Sequence, residues 1–270
     1  MTHTETMPIE DYLAQGGVLT SPDNVPARYR GELLRLMASF VDSELAGSAG
    51  FADIINDAPG IQERISAARI VLEKTDHAGQ ILKVMESFGA DGERYAVHHP
   101  WAERLPRDAD IGAARQKGDM RLSVFHYPLG GWVDAVVMNV LMGKAGVIQL
   151  RELSHVSYQP LAEVFRRILP REARHLELGI AGLERIAANP AERDAAMASI
   201  TTIGRPSAKL GRTSAWLAAS CARTPASSSQ PVRVTWPRRP RAAISPSTSG
   251  RSSPSPTSVR WMSARWSSVL

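Results

Sequence analysis

Apolar residues recur at helical spacing along four long stretches of the chain, and each stretch is bounded by a breaker. Over 26–46, Leu33, Met37, Phe40 and Val41 form one stripe, which Glu44 continues. Ala58-Pro59-Gly60 opens a second helix that runs to about Phe88, where Gly89-Ala90-Asp91-Gly92 stops it. A third follows Gly130-Gly131, from about Trp132 to Leu150, and is apolar on nearly every face, as a central bundle helix should be. The fourth begins near Ser157 or Gln159-Pro160 and extends to about Ile186, with the stripe Leu161, Val164 or Phe165, Ile168, Glu172, His175 and Gly179. Pro170 lacks a backbone donor and is expected to bend or locally break this helix just before Glu172. Before these stretches lies a mostly extended leader, 1–26, with a short helical possibility around 9–13; after them Asn189-Pro190-Ala191-Glu192 starts a further helix. The pattern predicts an all-α protein, a helical bundle over 27–200 with a tail over 201–270.

The stretch between the second and third helices is less regular. His98-His99 precedes Pro100, which disfavours helix at the residue before it, so 97–101 is read as a loop with solvated histidines. The charged segment 107–121 is read as a surface excursion.

The polar residues inside the apolar stripes carry the candidate chemistry. Glu172 and His175 are three apart and share a helix face, as do Glu73 and His77, four apart. Glu44 prolongs an apolar face, and Asp134 is the one acid in the third helix before Glu152. A carboxylate in such a place must be exposed at a helix end, paired, or bound to metal, because burying it unpaired costs several kcal/mol. For Asp134 the competing reading is a helix-start acid favoured by the local dipole. Four helices that each offer inward carboxylates, two of them with a histidine, are what a dinuclear metal centre in a bundle core requires. The metal candidates are therefore Glu44, Glu73, His77, Asp134, Glu172 and His175.

Charge divides the chain in two. The overall formal charge is +5, yet all 27 acidic residues precede residue 201, so the helical part is acidic and the basic balance belongs to the tail. The tail is rich in Ser, Arg and Pro, a composition that cannot build a core and is expected to be disordered. A basic tail can bind nucleic acid; the abrupt loss of every acid in mid-helix instead reads as translation out of frame, and nucleic acid is not an expected partner. The single cysteine, Cys221, rules out a disulfide framework and a thiolate metal site. The polar, acidic start lacks the features of a signal peptide, and the apolar run 133–150 is interrupted by Asp134, Asn139, Lys144 and Gln149, so a cytoplasmic protein without a membrane span is expected.

Several short pieces together resemble a known family. Ser43-Glu44-Leu45, Ala58-Pro59, the helix around His77, Tyr127-Pro128 followed by Trp132-Val133-Asp134, Ser157-Tyr158 with Pro160, and Glu172 to His175 occur in an order and spacing similar to the phenylacetate-catabolism oxygenase family, which includes the catalytic component of the ring 1,2-phenylacetyl-CoA epoxidase and its paralogues. The resemblance implies a ferritin-like bundle with a carboxylate-bridged pair of iron ions that activates O₂. It also implies an aromatic acyl-CoA substrate, electrons from a separate reductase, and assembly with a paralogous helical subunit into a hetero-oligomer. One departure stands out. The family's Glu-x-x-His in the second helix would place a glutamate at residue 74, where this chain has Lys74 and offers Glu73 one position earlier. Either a small rotation brings Glu73 to the metals, or the Lys74 ammonium empties the site and leaves a metal-free structural subunit. A ferritin-like iron-binding protein is the third alternative.

Overall fold

The computed structural model describes residues 8–114 and 116–204. The expected tail, apart from its first residues, and Cys221 lie outside the described residues. Eight α-helices occur among those described: α1 (Ile9–Ala14), α2 (Ala27–Ile54), α3 (Ile61–Glu86), α4 (Gly92–His98), α5 (Ile111–Ala114), α6 (Trp132–Leu153), α7 (Gln159–Ala188) and α8 (Pro190–Gly204). No strand is present among the described residues; one isolated parallel bridge, Leu19 to Tyr158, ties the leader to the start of α7. The architecture is all-α and consistent with a ferritin-like bundle.

The four long helices pack as two intimate pairs, α2 with α3 and α6 with α7, joined through α3 against α7. Along α2 and α6, by contrast, the two pairs barely touch. Helix α6 is long and apolar enough to cross a membrane by length and composition alone, but here it is packed against α7 and α8.

Three boundaries differ from the sequence expectation for physical reasons. Helix α2 continues to Ile54 through Ala46-Gly47-Ser48-Ala49-Gly50, because burial of this small-residue run offsets its poor intrinsic propensity. Pro170 does not interrupt α7. Its missing N–H deprives the carbonyl of Arg166, four residues back, but both residues are exposed and water can serve instead. Helix α8 runs to Gly204, past the boundary expected at 200. The start of α6 is sharp because Gly131, its N-cap, has φ +121°, a conformation that a side chain would strain.

Two apolar clusters sandwich a polar layer. The larger holds Leu33, Met37 and Val41 of α2, Ile81 and Met85 of α3, and Leu161, Phe165 and Ile168 of α7. Phe51, Ile54, Ala67, Ile70 and Ala135 form another towards the opposite end of the α2–α3 pair. Between them on these helices lie Glu44, Lys74, His77, Glu172 and His175, all buried. Close approach of α6 to α7 depends on glycine: a Cβ on Gly179 would sit 2.7 Å from Asn139 Nδ2 and 3.1 Å from a Val140 methyl. Gly179→Ala is therefore expected to destabilise the chain by about 1–3 kcal/mol in urea unfolding, the usual cost of overpacking.

Candidate metal centre

Each residue of the polar layer is delivered by helical spacing. Glu172 and His175 face inward from α7, His77 and Lys74 from α3, and Glu44 from α2. Lys74 Nζ donates to Glu172 Oε1 at 2.9 Å and to Glu44 Oε1 at 3.0 Å. His77 Nδ1 lies 3.1 Å from Glu44 Oε2 and 3.2 Å from Glu172 Oε1. His175 Nδ1 lies 3.1 Å from Glu172 Oε1, and its Nε2 is 2.7 Å from Glu73 Oε2. The two imidazoles stand 6.0 Å apart.

These groups set each other's charge. Burial disfavours the Lys74 ammonium, but the Glu172 and Glu44 carboxylates outweigh it and hold the Lys74 pKa above its ordinary value. His77 is likewise raised, burial being overcome by hydrogen bonding and attraction to the same two carboxylates. Burial also opposes the Glu172 anion, yet the Lys74 charge and the two histidines bring its pKa well below the usual carboxylate range. The layer is thus paired internally: the two carboxylates face the Lys74 ammonium and the two imidazoles beside it.

The structure brings four of the six sequence candidates, Glu44, His77, Glu172 and His175, to one place, and leaves Glu73 and Asp134 out of the inward set. Glu73 is rotated by one residue, about 100° of helix, from Lys74. Its carboxylate therefore reaches the outer nitrogen of His175, an orienting contact like those that support ligand histidines in metal sites. Asp134 is displaced along α6. Gly182 meets Val136, Gly179 meets Asn139 and Gly143 meets Leu176, so Glu172 is level with about Gly146, roughly 18 Å from Asp134 at 1.5 Å per residue. In the first turn of α6, Asp134 instead accepts from Gly130 N at 2.7 Å, Arg107 at 3.1 Å and the Ser199 hydroxyl. It is a helix-start acid with three partners.

Do these residues fit a pair of iron ions? Glu44, His77 and Glu172 have ligand atoms within 4.8 Å of one another, the right residue types for one divalent ion. A dinuclear centre in such a bundle draws four carboxylates and two histidines from four helices. Here two carboxylates face inward, the adjacent stretch of α6 offers Met142, Gly143 and Gly146, and an ammonium bridges the carboxylates that are present. The donor set does not fit a dinuclear iron centre.

A second buried cluster escaped the sequence reading. Asp42, two residues before Glu44 and so on the other side of α2, accepts from the Tyr95 hydroxyl and from Met120 N at 2.6 Å, and lies 3.0 Å from His99 Nε2. His99 is stacked between the rings of Tyr95 and Trp101, and Asp119 accepts from Arg121 Nε at 2.9 Å. Burial disfavours the imidazolium, but Asp119 and Asp42 push the His99 pKa up to about 9. The expected loop of solvated histidines is corrected for His99 alone: His98 ends α4 and is exposed, the His99 side chain is only 5% exposed, and Met120 N and Leu122 N tie the end of the supposed surface excursion to Asp42 and Ser43 of α2. An acid in the apolar run Phe40-Val41-Asp42 was the available signal.

Compared with known proteins, the chain matches the phenylacetic acid catabolic protein family over residues 7–242, most of its length. The chain belongs to this family. The match runs on into residues that the structure does not describe. Over 177 residues the chain is 24% identical to the A subunit of 1,2-phenylacetyl-CoA epoxidase from Escherichia coli (strain K12), covering 65% of this chain and 52% of that protein. Over 163 residues it is 24% identical to benzoyl-CoA oxygenase component B of Aromatoleum evansii, covering 60% of this chain and 33% of that one. It thus spans about half and about a third of these curated relatives. By name, these two relatives are a subunit of an epoxidase and a component of an oxygenase.

Proposed function

We propose that the chain is one component of a multicomponent oxygenase acting on an aromatic acyl-CoA, in which it helps to hold the acyl group but does not carry the iron pair. The observation that carries this reading is the cavity where α2 and α6 stand apart. It measures about 120 Å³, is walled by Phe40, Phe51, Phe125, Tyr127, Met138 and Leu150, and reaches Glu44, Lys74 and Glu172. That size is of the order of the roughly 150 Å³ apolar cavity known to admit benzene. A single aromatic ring is the matching guest, and the acyl-CoA chemistry in the names of both relatives supports the same choice. In this reading the di-iron centre, O₂ activation and the reductase that supplies electrons belong to partner proteins in a cytoplasmic hetero-oligomer.

The test is calorimetric binding of benzoyl-CoA and phenylacetyl-CoA, with acetyl-CoA as the control. Gly146 lines the cavity, and a Cβ there would meet nothing within 4 Å, so Gly146→Leu fills the space without straining the helix. Binding of an aromatic thioester at least tenfold tighter than acetyl-CoA, a difference of about 1.4 kcal/mol, and lost in Gly146→Leu is the expected result. Equal binding of all three thioesters would sink the reading.

A second reading, a catalytic di-iron monooxygenase in its own right, draws on the convergence of Glu44, His77 and Glu172 with His175. It requires Lys74 to leave both carboxylates and a further two acids to approach.

A further inference from the structure

The family resemblance leads one to look for metal between Glu44 and Glu172, and a lysine stands there. We infer that the Lys74 ammonium is the permanent central cation of this bundle, closing the polar layer in place of metal and tying α2, α3 and α7 together. This role belongs to the same site as the proposed function but does not depend on thioester binding.

Geometry excludes joint occupancy. A divalent ion shared by the two carboxylates would sit about 2.0–2.2 Å from their oxygens. Lys74 Nζ already lies 2.9 Å and 3.0 Å from one oxygen of each. Metal and ammonium would then be crowded into one gap with like charge. The lysine stem also packs on a neighbouring helix. It crosses α2 at Gly47, where a Cβ would come within 3.4 Å of Lys74 Cδ and 3.7 Å of Cε. The stem thus lies against the neighbouring helix at ordinary van der Waals range while its head reaches both acids. His77 completes the arrangement by engaging the second oxygen of Glu44. The acids are thereby satisfied by groups that belong to the chain, as buried charges must be.

The test is metal content and thermal stability of the full chain, not turnover. After anaerobic loading with Fe(II), and separately with Zn(II), followed by desalting, plasma mass spectrometry of wild type is expected to find no stoichiometric ion that Glu172→Gln removes. The melting temperature should be the same with and without chelator. A stoichiometric ion lost in Glu172→Gln, or a chelator-induced drop in melting temperature that Glu172→Gln abolishes, overturns the inference. Comparison with Glu172→Gln keeps ions held at the Asp42–His99–Asp119 cluster from being counted here. The complementary variant is Lys74→Glu, which removes the ammonium and adds a third carboxylate. It should take up at least one more ion per chain than wild type and melt higher, or fold only, when metal is added. A Lys74→Glu chain that folds equally well with and without metal and takes up no more than wild type also overturns it. Should benzoyl-CoA fail to bind while these metal results hold, the proposed function falls and the central-cation inference stands.

Discussion

Lys74→Met is expected to lower the unfolding free energy by about 3–5 kcal/mol, because breaking a buried pair leaves uncompensated charge in the core. Glu44 and Glu172 would then face each other with His77 as their remaining cation. The measurement is guanidinium unfolding of wild type, Lys74→Met and the triple variant Lys74→Met/Glu44→Gln/Glu172→Gln. The triple variant should regain a large part of the loss, since a neutral layer carries no ionic desolvation cost. The pH dependence gives a second check. In wild type the folded pKa of Glu172 lies below its unfolded value, so its contribution is present above the ordinary glutamate range and is lost as pH falls. Lys74, raised in the folded state, contributes below its ordinary range and loses that contribution only in strong alkali. Without the ammonium, protonation relieves the repulsion between the facing carboxylates, so the deficit of Lys74→Met should shrink on acidification. A deficit below about 1 kcal/mol at neutral pH would place the pair among those that merely break even.

Asp42→Ala should cost a comparable amount, about 3–5 kcal/mol, by removing the acid that holds both the end of α4 and the backbone at Met120 to α2. The Tyr95 hydroxyl, Met120 N–H and His99 imidazole would all lose their common partner. Limited proteolysis should then cut faster between α4 and α6 than it does in wild type. A pH signature accompanies it. With the His99 pKa raised from 6.5 to about 9, its stabilising effect is complete below about 6.5 and disappears as pH rises through about 9. In Asp42→Ala, with Asp119 as the remaining facing acid, that alkaline decline should be shallower. Unchanged protease protection would show that the connection is held by its other contacts, including Arg104 to the carbonyl of Ala46.

How much of this was legible in the chain depends on the range of each signal. The bundle helices follow from apolar periodicity, and the approach of Glu172 to His175 follows from three-residue spacing alone, since both are local. The choice between Glu73 and Lys74 was not legible: adjacent residues point about 100° apart, and only the docking of α3 against α2 and α7 decides which one turns inward. Asp134 looked like a core acid because its helix is apolar all round, while its partners Arg107 and Ser199 are 27 and 65 residues away. The Asp42 network joins residues 57 and 77 positions apart through a connection without periodicity, so no spacing rule announces it. The cavity is a gap between helices whose patterns are each complete.

The Lys74 ammonium between Glu44 and Glu172 bears on biogenesis. A centre assembled from side chains alone is finished when the polypeptide finishes folding; no insertion machinery, reducing equivalents or nutrient supply stands between synthesis and a mature protein. In a cell starved of iron, this chain should therefore accumulate at its normal level.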